Sequence, residues 1–298
     1  MGEVVGVRFS GEKRGERVAV PRAKVLKMED DPLMDALPTD AKRFYASAIP
    51  AATRRALSTA LYRTERWIND NTGKTINPDF KENNLDHVTD LIQGANTVKR
   101  KYPKLYLELT GGDDSQWLDL LKMLAIHDLG EFYTGDITAT HTDVGSEAGI
   151  KHKQREAWAA KRMLKRGGGK IADELVNLYD RFEHRQVSDT IVRFGHLLDK
   201  AQAAANVARH VIPFNNPNEK PEYDYAKEML DSIQRPMSYA ISVAEALKTK
   251  EAKRQFVAFL EEFFLMEFRN LGKIITKEKY DQVFFTVELA YRNVFNLE

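Results

Sequence analysis

Cysteine is absent from this sequence of 298 residues. Its absence excludes disulfide bonds, thiolate metal sites and a cysteine nucleophile, so any bound metal ion must be held by His, Asp or Glu side chains. No apolar run approaches the roughly 20 residues that a membrane-spanning helix needs. The first residues also lack the basic and then apolar pattern of a secretory signal. We therefore expect a soluble cytoplasmic protein without a membrane partner.

Net charge is almost absent as well, since 45 basic residues balance 44 acidic ones to give +1. A protein that holds nucleic acid through its phosphates usually presents a basic surface. No basic stripe interleaved with aromatic residues occurs in this sequence. Stable nucleic-acid binding, and with it a nucleic-acid phosphodiesterase, is therefore disfavoured.

What the sequence does contain is apolar residues at helical spacing over most of its length after residue 40. This spacing predicts helices at 40–48, 51–69, 85–98, 151–166, 171–183 and 188–211, with about three more between 222 and 298. Residues 1–40 instead mix short β-like runs with Gly, Pro and charged residues, which predicts an irregular or β-hairpin arm. We predict an all-α protein with a main domain over 41–212 and a C-terminal helical extension, 213–298, that packs on it.

The densest group of ionisable side chains lies in the stretch 126–137. Leucines upstream recur at helical spacing and predict that His127 and Asp128 stand near the end of an amphipathic helix. On such a helix Glu131 lies four residues from His127 and three from Asp128, which places the three side chains on neighbouring parts of one face. A glycine turn follows that could fold Asp136 back over them. An adjacent His-Asp pair is also an ordinary feature of surface helices.

Two further candidates stand on other predicted helices. His87 lies in the first turn of the helix 85–98, where a lone His is ordinarily a capping or surface residue. Asp199 lies on a helix face made largely of small residues, and a buried carboxylate is costly unless a cation or a donor meets it. If these two side chains converge with His127 and Asp128, two imidazoles and two carboxylates would suit a borderline or hard divalent ion.

These residues resemble the signature of a known family. The order His, His-Asp, Asp is similar to that of the HD-domain phosphohydrolases, and the longer pattern resembles their 5'-deoxynucleotidase branch over roughly residues 60–210. The matching stretches are Asp86-His87, His127-Asp128-Leu129-Gly130-Glu131, Thr134-Gly135-Asp136-Ile137 and Asp199-Lys200. The chain departs from the branch pattern at Asp86, where the family has Glu, and at Val88, where it has Ser.

The resemblance implies an HD-domain helical bundle that removes phosphate from deoxynucleoside 5'-monophosphates by direct attack of water. It implies a divalent metal ion as cofactor, Co²⁺, Mn²⁺, Mg²⁺ or Zn²⁺, a nucleotide as the small-molecule partner, and a homodimer or larger homo-oligomer. The implied metal ligands are His87, His127, Asp128 and Asp199. The implied catalytic residues are Asp128 and Glu131, with Glu131 as the acid/base for the water. The implied substrate-binding residues are Arg66, Trp67, Asp136, Glu183 and His184.

Two other functions are compatible with the same residues. A deoxynucleoside triphosphate triphosphohydrolase would release the phosphate tail in one piece and needs extra basic residues. Lys151 and Lys153 can supply them, where the predicted loop 138–153 overlaps the start of the predicted helix 151–166. A catalytically silent nucleotide sensor or scaffold would use the helical domain for assembly alone. Release of phosphate or of tripolyphosphate separates the two enzymes, and turnover separates both from the sensor.

Overall fold

The computed structural model of the protein describes residues 81–135, 147–166, 169–184, 188–214 and 225–271, with scattered positions from 42 to 80 and residues 277 and 281. The predicted N-terminal arm, residues 1–40, lies outside the described residues. Among the helices that the structure describes, none combines the length and the apolar character that crossing a bilayer requires.

The described elements are helices apart from one short hairpin. They are β1 (Ile68–Asn69), β2 (Lys74–Thr75), α1 (Asn84–Lys101), α2 (Pro103–Thr110), α3 (Asp114–Ile126), α4 (Glu131–Thr134), α5 (Glu147–Lys165), α6 (Gly169–Glu183), α7 (Thr190–Asn206), α8 (Tyr225–Ala246) and α9 (Lys250–Leu260). A π-helical turn, Val207–Val211, extends α7 into Ile212–Phe214, and a second, Glu261–Leu265, extends α9 into Met266–Leu271. β1 and β2 pair antiparallel. The predicted all-α class is confirmed.

The start of α1 is set by its own sequence. Asn83 is the N-cap, and its side chain accepts hydrogen bonds from the backbone N–H groups of Leu85 and Asp86. The Asp86 carboxylate in turn accepts the Asn83 N–H over 3.3 Å, which completes a capping box. The predicted apolar stripe of this helix is buried, at Leu85, Val88, Leu91, Ile92, Ala95 and Val98. The cap and the stripe together fix the first turn, which carries His87.

Helix α7 forms the centre of the bundle, with α1, α3, α6 and α8 packed around it. A Cβ atom at Gly195 would lie 2.7 Å from the ring of Phe182 in α6 and 3.0 Å from Leu120 in α3. Glycine therefore allows α7 to approach both neighbours more closely than a larger residue would. Asp199 stands one helical turn further along the same face, so this close packing brings its carboxylate toward α1 and the end of α3.

Aromatic packing anchors α3 against the rest of the core. Trp117 is almost fully buried, and its ring meets Tyr106 of α2 edge to face at a centroid distance of 5.0 Å. Phe194 of α7 stacks on it at 6.2 Å. Side chains of this size contribute much of the apolar burial in a core. Helix α3 is thereby held rigidly, and its C-terminal end carries the His-Asp pair.

The helix predicted for 51–69 is wrong in its last part, where the structure instead has β1. The backbone just upstream of β1 forms hydrogen bonds with the residues around the start of α1. Arg66 N donates to the Glu82 carbonyl, and Asn84 N donates to the Thr64 carbonyl, each over 3.0 Å. Apolar spacing reports only local periodicity, so it cannot reveal that a distant backbone segment competes for these hydrogen bonds.

The loop predicted over 138–153 is also wrong in its last part, because α5 begins at Glu147. Lys151 Nζ lies 2.5 Å from Glu147 Oε1, and a Glu followed by Lys at i,i+4 favours a helix. Lys151 and Lys153 therefore stand on a regular helix rather than in a loop.

Candidate metal and catalytic site

His87 is completely buried in the first turn of α1, and Gln202 of α7 sets its tautomer. The Gln202 amide nitrogen donates to the Glu82 carboxylate over 2.8 Å, so the amide oxygen is the atom that faces His87 Nδ1, at 2.7 Å. A carbonyl oxygen can only accept, which puts the proton on Nδ1. Nε2 is then the nitrogen of this imidazole that can bind a metal.

His127, at the end of α3, is arranged in the same way. Its Nδ1 lies 2.9 Å from the carbonyl oxygen of Leu124 and must be the donor. The two imidazole centroids are 5.5 Å apart. Both Nε2 atoms are buried, and neither has a hydrogen-bond partner among the residues that the structure describes. Imidazoles oriented through Nδ1, with Nε2 turned to a common region, are typical of metal ligands.

Two carboxylates face these nitrogens. Asp128 Oδ1 lies 3.1 Å from His127 Nε2, and its Oδ2 lies 3.6 Å from His87 Nε2. Asp199 Oδ1 lies 3.3 Å from His87 Nε2 and 3.9 Å from His127 Nε2. Carboxylate oxygens and nitrogen lone pairs at these distances repel unless positive charge lies between them. The donor set of two imidazoles and two carboxylates therefore fits a divalent cation.

Three of the four groups form a compact set. The ligand atoms of His87, His127 and Asp128 all lie within 4.8 Å of one another, close enough to hold one metal ion. Asp199 does not belong to that mutually close set, although its Oδ1 approaches both imidazoles. All four side chains are buried. The predicted ligands thus meet in space from three helical segments distant in the chain.

Both aspartates are held in the anionic form that binds a metal. Burial raises the pKa of Asp128, but the electrostatic interactions with His127 and with the Arg66 guanidinium outweigh burial and place the pKa below its ordinary value. Burial likewise raises the pKa of Asp199. Lys200, whose Nζ lies 2.7 Å from Asp199 Oδ2, combines with the two site imidazoles to bring this pKa well below its ordinary value.

Arg66 reaches the site from the segment before β1. Its Nη1 lies 2.9 Å from Asp128 Oδ2, and its Nε lies 3.4 Å from Glu82 Oε2. The backbone bonds with the residues that precede α1 hold it there, while the hairpin β1–β2 accommodates much of the chain between. Trp67, its predicted partner in substrate binding, lies outside the described residues.

Glu131 begins the separate helix α4, whereas the sequence pattern predicted that it extends α3. The chain turns between the two helices, and Glu131 N donates to the Asp128 carbonyl over 3.1 Å. The turn still brings the side chain to the site, where Glu131 Oε2 accepts a hydrogen bond from Asn84 Nδ2 over 2.7 Å. Asp136, which was predicted to fold back over this region, lies outside the described residues.

Helix α5 packs against α4 and adds Glu156 and Lys153. A Cβ atom at Gly130 would overlap the backbone of Glu156, so only glycine permits this close approach. Lys153 Nζ lies 2.8 Å from the buried Glu156 Oε2. Partial burial lowers the pKa of Lys153, but Glu156 and the more distant Glu183 raise it above its ordinary value. The charge of Glu131 also raises the pKa of Lys153. Lys153 is therefore a charged ammonium that interacts with all three carboxylates.

Glu183 and His184, at the end of α6, are placed differently. Glu183 is half-buried, and its charge acts on Lys153. Burial, followed by the charge of Glu183, raises the pKa of Tyr179 above its ordinary value. His184 is exposed, and its Nδ1 faces the carbonyl oxygen of Asp180 in its own helix. Within the described part of the chain no contact joins His184 to the cluster around His87.

Sequence reasoning did not assign roles to Glu82, Asn84, Gln202 or Glu156. Gln202 stands three residues after Asp199 on the inward face of α7, and that spacing was the available signal. Glu82 and Asn84 lie where α1 begins and are not part of its apolar stripe. No pattern in the neighbouring sequence indicates that either residue is functional. Glu156 is an acidic residue in a charged helix, and only the contact with α4 distinguishes it.

The HD-domain family model matches residues 113–233 of the chain. The matched stretch contains His127, Asp128, Glu131 and Asp199 and begins after His87. The match supports the HD-domain superfamily, whose members are generally metal-dependent hydrolases. No curated protein and no solved structure matches the chain. The match and the buried His/Asp cluster together define a candidate metal-dependent phosphohydrolase site.

Proposed function

We propose that this protein is a metal-dependent phosphohydrolase that removes the phosphate from deoxynucleoside 5'-monophosphates. The single observation that carries the proposal is the convergence of two imidazole Nε2 atoms and two carboxylates, to which Glu131 is linked through the Asn84 amide. The HD-domain match supports the reaction class. The resemblance of the motifs around residues 87, 127–137 and 199 to those of the 5'-deoxynucleotidase branch supports the substrate class.

The metal ion in this proposal is held by His87, His127, Asp128 and Asp199. When bound, a divalent ion polarises the P–O bonds and lowers the pKa of water from about 15.7 towards about 7. Arg66 orients Asp128 through its 2.9 Å contact, and Lys200 does the same for Asp199 through its 2.7 Å contact. These cations also give the site positive charge that suits a phosphate group.

In the reaction a water oxygen forms a bond to phosphorus, and the bond between phosphorus and the sugar O5' breaks. The Glu131 carboxylate takes a proton from the attacking water and returns a proton to the leaving O5'. The products are a deoxynucleoside and inorganic phosphate. A positioned acid/base of this kind contributes about 10²–10⁴-fold to a rate.

A nucleotide panel tests the proposal directly. The full chain is incubated with Co²⁺, Mn²⁺, Mg²⁺ or Zn²⁺ and with mono-, di- and triphosphates of ribo- and deoxyribonucleosides, and released phosphate and tripolyphosphate are measured separately. We expect inorganic phosphate from deoxynucleoside monophosphates with at least one metal. A chain that binds the metal but hydrolyses none of the monophosphates would contradict the proposal. Tripolyphosphate release would identify a triphosphohydrolase, and nucleotide binding without turnover would identify a sensor.

One observation favours the triphosphohydrolase as the second candidate. The side chain of Lys153 is 56% exposed and stands on helix α5, where the charges of Glu156, Glu183 and Glu131 all act on it. A basic side chain in this position can reach a phosphate tail that extends beyond the metal. Its contact with Glu156 holds it in one orientation, which reduces the entropy lost when a phosphate binds.

For a triphosphate substrate we expect Lys153→Met to raise KM about tenfold, which corresponds to about 1.4 kcal/mol of binding. Lys151→Met is the matched control, because Lys151 stands on the same helix and pairs only with the exposed Glu147 among the described residues. Its KM should stay within about twofold of wild type. Equal KM values for the two variants would show that Lys153 does not contact substrate.

A further inference from the structure

Asn84 is the first residue of α1 and is completely buried, although it carries a polar amide. Its Nδ2 donates to Glu131 Oε2 over 2.7 Å and lies 3.5 Å from the carbonyl oxygen of Asp128. One amide group thus contacts α4 and the turn that follows α3, while its own helix carries His87. Three segments of the site meet at this side chain.

The orientation of the amide follows from its neighbours. A carboxylate oxygen and a backbone carbonyl oxygen both face one end of the Asn84 side chain, and both can only accept hydrogen bonds from it. The NH₂ group must therefore lie at that end. A donor at 2.7 Å from a carboxylate forms a strong, charge-assisted hydrogen bond.

This amide is poorly explained by packing alone. Its Oδ1 is buried and has no hydrogen-bond partner among the described residues. A buried acceptor without a partner costs stability, and an apolar residue of similar size would avoid that cost. Buried polar groups that destabilise the core in this way are expected at functional positions.

We propose that Asn84 is a positioning residue that fixes the Glu131 carboxylate relative to the metal ligands. The inference rests on the proposed function, because it assigns Glu131 the role of acid/base. With Oε2 held by the amide, rotation of the carboxylate is restricted and its approach to the attacking water is set before substrate binds. Asn84 itself acts through Glu131 and does not contact the reacting atoms.

The first test compares Asn84→Ala with Asn96→Ala in steady-state kinetics of the metal-loaded full chain. A displaced acid/base costs up to about 100-fold in rate, so we expect Asn84→Ala to lower kcat by about 10- to 100-fold and to leave KM within about twofold. Asn96→Ala makes the same change on the same helix, about three turns further from the site. It should leave kcat within about twofold, because position 96 is removed from the first turn that carries His87. A kcat for Asn84→Ala within twofold of wild type would overturn the proposal.

A background variant shows whether Asn84 acts through Glu131. In Glu131→Gln the acid/base is already lost, so adding Asn84→Ala should lower the residual kcat by less than about twofold. A further loss as large as the one seen in the wild-type background would mean that Asn84 acts by another route, and this too would overturn the proposal.

A measurement without substrate separates this inference from the proposed function. Urea unfolding of wild type, Asn84→Ala, Glu131→Ala and the double variant forms a double-mutant cycle for the contact. We expect the double variant to unfold at a higher urea concentration than the sum of the two single shifts predicts. Additive shifts would show that the two side chains do not interact and would overturn the inference. If the cycle shows coupling and the nucleotide panel shows no turnover, the contact stands and the proposed function fails.

Discussion

Replacing Glu131 by Gln is expected to lower kcat by about 10²–10⁴-fold, the usual contribution of a positioned acid/base. Gln has nearly the same shape, and its amide oxygen can still accept the hydrogen bond from Asn84. It cannot take a proton from water. The interaction that is lost exists mainly in the transition state, so KM should change little while kcat and kcat/KM fall together.

The control for this prediction is Glu147→Gln, which makes the same chemical change at the exposed start of α5. Its kcat should equal that of wild type. Metal content, measured by elemental analysis, should be the same in wild type and in both variants, because Glu131 is not one of the proposed ligands. A Glu131→Gln protein that keeps a third or more of the wild-type kcat would exclude Glu131 as the acid/base.

Metal binding is expected to raise the melting temperature of the wild-type chain by about 5 °C and that of His87→Ala by less than 1 °C. A ligand present at about 100 times its Kd stabilises the folded state by about 2.7 kcal/mol. Each kcal/mol raises the Tm of a domain of this size by about 2 °C. His87 supplies one of three ligand atoms that lie within 4.8 Å of one another, so its removal opens the compact part of the site.

The melting experiment needs no substrate and is run with and without Mn²⁺ or Co²⁺ after treatment with a chelator. His184→Ala is the control, since His184 is exposed and lacks a contact with the cluster among the described residues. It should show the full wild-type shift. Equal shifts in wild type and His87→Ala would mean that the ion binds elsewhere, and the proposed site would then be wrong.

Much of the helical framework could be predicted because it follows from local spacing. The buried stripe of α1 repeats every three to four residues, and the capping residues before it mark where the helix begins. Element boundaries were less predictable. The sequence pattern extended α3 through Glu131, whereas the structure has a turn over 127–130 and starts a new helix at Glu131. Helix α5 packs so closely against this turn that only glycine fits at position 130.

The candidate ligands were recognisable for a different reason. With no cysteine in the chain, a metal site must use His and acidic residues, and the His-Asp pair followed by Glu131 is a dense group of them. Spacing along a helix can show that such side chains share a face. It cannot show that His87 and Asp199, on two other helices, face the same point.

By itself the sequence determined the helical class, the absence of thiol chemistry and the residue types available for a metal site, because these depend on composition and on periodicity within a few turns. Only the tertiary structure decided which nitrogen of His87 faces the carboxylates, which cation orients Asp128, and which donor holds Glu131. Those choices depend on Gln202, Arg66 and Asn84. Each of these residues lies more than 45 positions from the side chain it contacts, and periodicity reports which face of a helix is buried but not what that face meets.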